Sequence, residues 1–178
     1  PGDEQPTEAG GSVEIDPLKY QSFMQNVKAS QNLPLGFIGG MGGAIIGAII
    51  WAIITIVTNY QIGFMAIGVG FLTGLGVRQF GKGSDQIFGI VGAALSLFGC
   101  LLGNLLTVAV VISQQEAIPL LDILFIMATS PGAVAELMTA TFDLMDLLFY
   151  GIAIYFGYKS SFRQITKAEV ANLLKEPV

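Results

Sequence analysis

Histidine is absent from this chain, cysteine occurs once, at Cys100, and charged side chains make up only 12% of its 178 residues. Each shortage removes a class of chemistry. A single cysteine allows no disulfide framework within the chain. Without histidine there is neither a cysteine-histidine zinc site nor a histidine-based triad. A serine nucleophile would need a lysine partner, and every lysine lies outside the long apolar runs. No metal, cofactor or nucleic-acid partner is therefore expected, and the chain is not read as an enzyme. With 53% hydrophobic residues and a mean hydropathy of +0.69, there is too little polar surface to coat a soluble globule. Such a chain belongs in lipid.

The formal charge of −5 is unevenly spread, because Asp3, Glu4, Glu8, Glu14 and Asp16 all precede residue 17. Together with Pro1, Pro6, Gly10, Gly11 and Ser12 they have the composition of a solvated segment, and residues 1–28 are read as an acidic, flexible tail. The chain opens on Pro1 rather than Met and has no basic-then-apolar leader, which leaves room for a segment upstream.

From Ala29 to Val77 no side chain is charged. A hydrocarbon core of about 30 Å takes roughly 20 helical residues, so this run is too long for one crossing and suits two. Asn59-Tyr60-Gln61 is the polar cluster near its middle and marks the turn, giving spans at 34–58 and 62–80, with Pro34 at the first helical position. Gly81-Lys82-Gly83-Ser84-Asp85 is a second turn, whose Ser84 or Asp85 can cap a third span at 86–113. "LLFYGIAIYFGY", residues 147–158, is too short to cross alone. Starting its helix near Thr141 lengthens it to a fourth span at 141–158, with Asp143 and Asp146 in the first two turns. Between spans three and four, Ser130-Pro131-Gly132 divides "EAIPLLDILFIMATSPGAVAELMTA" into two short helices, interfacial or re-entrant. The expected fold is all-α: a transmembrane four-helix bundle over 29–159. It carries those short helices between spans three and four, and a C-terminal tail over 160–178. In the tail, Thr166 and Glu169 form a capping-box pattern for a short amphipathic helix with Val170, Leu173 and Leu174 on one face.

Four crossings place all eight basic residues on one side: Lys19 and Lys28, then Arg78 and Lys82, then Lys159, Arg163, Lys167 and Lys175. The other side receives Glu116, Asp122 and Glu136. By the positive-inside rule both termini are cytoplasmic, and a fifth crossing is rejected because it would carry the C-terminal cluster outside.

The 23 glycines are ordered within the spans. Gly39, Gly43 and Gly47 recur every four residues beside Gly40, Ala44, Ala48 and Ala52; Gly70 and Gly74 repeat the device in the second span, Gly99 and Gly103 in the third. Such stripes let helix backbones approach closely in lipid, either inside one bundle or between subunits, and a homo-oligomer or a membrane-protein partner is expected. "GVGFLTGLGVRQFGKG" has glycine spacings like a nucleotide loop, but no strand precedes it and no Ser or Thr follows Lys82. Arg78, Lys82, Lys159 and Arg163 are read as topology anchors that touch anionic lipid headgroups.

Asp143 and Asp146 share one helical face, and Asn104, Thr107 and Thr55 reach a comparable depth. The five form a candidate ion or polar cluster in the outer leaflet, set against the alternative that both carboxylates simply cap a helix end. Trp51 and Tyr60 are read as outer-interface anchors, Tyr150, Tyr155 and Tyr158 as lining the last span toward its inner end, and Cys100 as a small packing residue.

The stretches "LPLGFIGGMGGAIIGAIIWAIITIVTNYQIGFMAIGVGFLTGLGVRQFGKG", "FGIVGAALSLFGCLLGN" and "DLLFYGIAIYFGYK" together resemble a widespread group of small, functionally uncharacterised bacterial four-span membrane proteins. The resemblance implies bacterial origin and the four-span layout, and assigns no reaction. Relatives of this look sometimes carry a zinc ribbon before the first span, but its cysteines are missing here. The function expected is an oligomeric scaffold or accessory subunit of the inner membrane. A channel or transporter for a small ion, using the acidic cluster, is the alternative.

Overall fold

A computed structural model describes residues 17–58, 64–164 and 169. The acidic segment before Pro17, the turn at Asn59-Tyr60-Gln61, and Thr166, Val170, Leu173 and Leu174 of the tail lie outside the described residues.

Two compact units are present. The first contains α1 (Pro17–Ala29), a helix where the composition argued for a flexible tail. Its sequence has no glycine, and its one proline stands at the first position, where a missing N–H removes no helical bond. Lys28 in the last turn meets the negative end of the helix. The tail reading fails here because charge and local helix propensity are separate properties.

The second unit, Ser30–Gln164, holds α2 (Leu33–Thr58), α3 (Phe64–Gly81), α4 (Gln86–Glu116), α5 (Leu120–Thr129), α6 (Pro131–Thr141) and α7 (Leu144–Ser160). The fold is all-α: α2, α3, α4 and α7 pack as a bundle, with α4 touching each of the others. Three of them, α2, α3 and α4, are long and apolar enough to cross a membrane. The pair α5 and α6 would supply a fourth crossing only if taken as one span, and it is bent by 106°. At 1.5 Å per residue α7 extends about 26 Å, near the lower limit for spanning.

The helices turn small residues inward and large ones outward. On α2 the buried positions are Gly36, Gly40, Ala44, Gly47, Ala48, Trp51 and Ala52, while Ile38, Ile45, Ile46, Ile49 and Ile53 are exposed. Burial by water exclusion would favour the reverse, whereas close backbone approach in lipid favours this arrangement. The contacts set the directions. Gly36 meets Gly81 and Gly47 meets Val69, so α2 and α3 are antiparallel and the chain reverses between Thr58 and Phe64. Gly99 meets Ala44 and Gly103 meets Ala48, so α4 runs parallel to α2.

Helix ends follow local chemistry. Asn32 caps α2, its Oδ1 accepting the Leu35 N–H at 3.0 Å, so Pro34 falls inside the first turn behind an Asn cap. Asp85 is the N-cap residue of α4 without a side-chain cap bond, and Ser130 takes the same place before Pro131 of α6. The last bundle helix starts at Leu144 rather than Thr141, because Phe142 and Asp143 are extended and Asp143 serves as its cap. Thr141 closes α6 instead.

Candidate functional site

The glycine stripes are consumed inside the chain. A Cβ on Gly39 would strike Phe80 and the Gly76 carbonyl, one on Gly43 the Leu72 carbonyl, and one on Gly47 would crowd Val69, all on α3. Gly70 and Gly74 face Ala153, Gly157 and Ser160 of α7, while Gly99 and Gly103 of α4 receive Ala44, Ala48 and Trp51 of α2. One seam escaped the sequence reading: between α4 and α7, Ser161 fits against Gly92 and Ser96 against Gly157. Each of these hydroxyls donates to a carbonyl four residues back in its own helix, Ser96 to Gly92 and Ser161 to Gly157, both at 2.6 Å. The signal was present as a serine and a glycine four apart on each helix, the paired small-polar motif of lipid-embedded interfaces.

Two polar regions remain, one at each end of the bundle. At the first end, Asp143 is exposed and its Oδ1 accepts the Leu144 N–H at 2.6 Å, while Asp146 Oδ2 accepts the Asp143 N–H at 3.0 Å. The two acids thus form a capping box, with Asp rather than Glu at its third position. Asp146 is also buried and heads the stripe Asp146, Tyr150, Ala153, Gly157 that α7 turns inward. The Tyr150 hydroxyl has Asp146, Cys100 and the Asn104 side chain as neighbours. Asn104 and Tyr150 are 7% and 6% exposed, and neither Asn104 Nδ2 nor the Tyr150 hydroxyl has a hydrogen-bond partner among the described residues.

Of the five residues expected here, Asp146 and Asn104 come together around Tyr150. Thr107 donates to the Gly103 carbonyl at 2.9 Å within its own helix. Thr55 has a buried hydroxyl without a hydrogen-bond partner among the described residues. Two aromatic assignments are corrected. Trp51 is 1% exposed and sits in the core with Ala66, Val69, Cys100 and Tyr150, instead of anchoring the interface. Its indole occupies the space that Gly103 leaves on α4. Tyr150 lies about two turns from the capped end, in the first half of α7, not toward the opposite one.

At the second end, the turn after α3 wraps the buried Phe88. A Cβ on Gly81 or Gly83 would strike that ring, which leaves Lys82 between them as the residue able to carry a side chain outward. Lys82 takes φ 49°, a left-handed conformation that normally selects glycine. The Gly81 carbonyl accepts the Asn32 N–H at 2.9 Å and the Gly83 carbonyl accepts the Arg163 N–H at 2.8 Å, so this turn holds the start of α2 and the chain beyond α7. The result is a pocket of about 630 Å³ lined by Ser30, Arg78, Gln79, Lys82, Arg163 and Gln164. Lys159, expected to act alongside these cations, instead lies 5.6 Å from the centre of the Tyr155 ring, a cation-π contact.

Comparison with protein-family models, with curated proteins and with solved structures finds no match to this chain.

Proposed function

We propose that this chain is an oligomeric scaffold or accessory subunit of the bacterial inner membrane, with both termini cytoplasmic. The charge distribution supports the orientation: Arg78, Lys82, Lys159 and Arg163 gather at one end of the bundle, and Glu116, Asp122 and Glu136 belong to the segments joining the other. The observation that carries the function is the α5–α6 elbow. Its second arm buries no residue, and its first buries only Ile123 while exposing Leu121, Phe125 and Ile126. The glycine stripes Gly39-Gly43-Gly47, Gly70-Gly74 and Gly99-Gly103 are already used inside the chain, whereas the elbow leaves its apolar side chains open to a second copy. Photobleaching steps counted for labelled chains at low density in liposomes test the reading. More than one copy per spot is expected, falling to one when Leu121 and Phe125 are both changed to Lys. Single copies throughout for the unmodified chain would overturn it.

A second reading, a channel or transporter for a proton or small cation, is favoured by the unpartnered Asn104 amide and Tyr150 hydroxyl beside the buried Asp146. On that reading Asp146→Asn abolishes cation flux into proteoliposomes while leaving assembly intact. Flux that is absent in the unmodified protein, or unchanged in the variant, would discard it.

A further inference from the structure

We infer that the basic end of the bundle is a binding site for a phosphate group, carried either by an anionic phospholipid or by a soluble phosphate ester. Three separate stretches of chain deliver its cations: Arg78 from the last turn of α3, Lys82 from the turn that follows, and Arg163 from beyond α7. The other lining residues, Ser30, Gln79 and Gln164, are neutral hydrogen-bonding groups. Arg78 and Lys82 make no ion pair with an acid among the described residues, so these two like charges are brought to one pocket with neither paired to a neutralising acid there. Attraction of cations to the negative end of α3 accounts for Arg78 alone. It does not account for the Arg163 backbone being bonded to Gly83, nor for Arg163 Nη1 donating to Ser30 Oγ at 3.3 Å, which holds that guanidinium at the pocket wall.

Lys82 supplies the independent observation. Its left-handed backbone is one that glycine adopts freely, yet the two flanking glycines are placed against Phe88 and the lysine takes the strained position. The consequence is an exposed lysine that lines the same pocket as two arginines. A guanidinium offers paired N–H donors to phosphate oxygens, and an ammonium adds a compact charge, so the set suits a tetrahedral oxyanion at the membrane-water boundary. A basic pocket at that level is also the general form of headgroup recognition. This site is independent of the scaffold reading and stands whatever the oligomeric state.

The purified chain in a neutral detergent, titrated with phosphatidylglycerol, with phosphatidylcholine and with inorganic pyrophosphate, tests the inference by native mass spectrometry. Saturable binding of one phosphatidylglycerol per chain, tighter than phosphatidylcholine, assigns the phosphate to a lipid; saturable pyrophosphate that displaces the lipid assigns it to a soluble ester. Arg78→Gln and Lys82→Gln should each weaken binding about fivefold, and Lys159→Gln, whose charge rests on Tyr155, should leave it unchanged. Lys82→Gly should raise the thermal midpoint by relieving the backbone while losing the same binding as Lys82→Gln. The inference is overturned if neither ligand saturates, if Lys159→Gln weakens binding as much as Lys82→Gln, or if Lys82→Gly binds as tightly as the unmodified chain.

Discussion

At the third position of α7 the Asp146 carboxylate accepts the Asp143 N–H, and the same residue heads the inward stripe whose next member, Tyr150, neighbours Asn104. These two roles separate by substitution. Asp146→Asn keeps a side-chain oxygen for the Asp143 N–H and should leave stability nearly unchanged, whereas Asp146→Ala should cost about 1 kcal/mol. The single tryptophan, Trp51, is buried in the core, so its emission during thermal unfolding in detergent reports both. Tyr150→Phe removes a buried hydroxyl that lacks a partner among the described residues, and should be neutral or stabilising by up to about 1 kcal/mol. A larger loss would show that the hydroxyl is bonded in the membrane. The spacing of Asp143 and Asp146, and the depth of Asn104, could be read directly from the chain. That Tyr150 neighbours both Asp146 and Asn104, and that Trp51 shares its core cluster, could not, since sequence position gives a side chain's depth along a helix but not which neighbour its face meets.

Between α4 and α7 contact is made by glycine and serine, with Gly92 under Ser161 and Gly157 under Ser96. Gly157→Val should overpack this seam and cost about 1–3 kcal/mol, lowering the midpoint of the Trp51 transition. On the same helix Gly151 has no neighbour within 4 Å, and Gly151→Val should be neutral. Equal effects would mean that α7 does not dock by this face. Helix boundaries were legible where a proline or an uncharged run set them, as for α2 and α4. They were misjudged where a side chain competes for the backbone: Asp143 starts α7 three residues later than apolar length alone suggested. Residues 17–29 were misjudged for a different reason, because acidic composition upstream was extended over a segment whose own residues form a helix.

Across the whole molecule, the basic end and the elbow end should be distinguishable from outside the cell. In a Cys100→Ala background, a cysteine replacing the exposed Ala133 on the elbow should react with a membrane-impermeant maleimide, and one replacing Gln164 should react only after lysis. Reaction at Gln164 in intact cells would reverse the proposed orientation or add a crossing. Composition alone determined that the chain is helical and bound for lipid, because a sequence so poor in charge cannot cover itself with polar surface. The length of the charge-free run likewise called for two long helices, α2 and α3, since bilayer thickness sets helix length. Which glycine meets which helix, where Trp51 hides, and how Arg78, Lys82 and Arg163 converge were decided only in three dimensions. Those features depend on the rotation of each helix about its axis and on a turn folded around Phe88, and both are set by contacts between residues far apart in the chain.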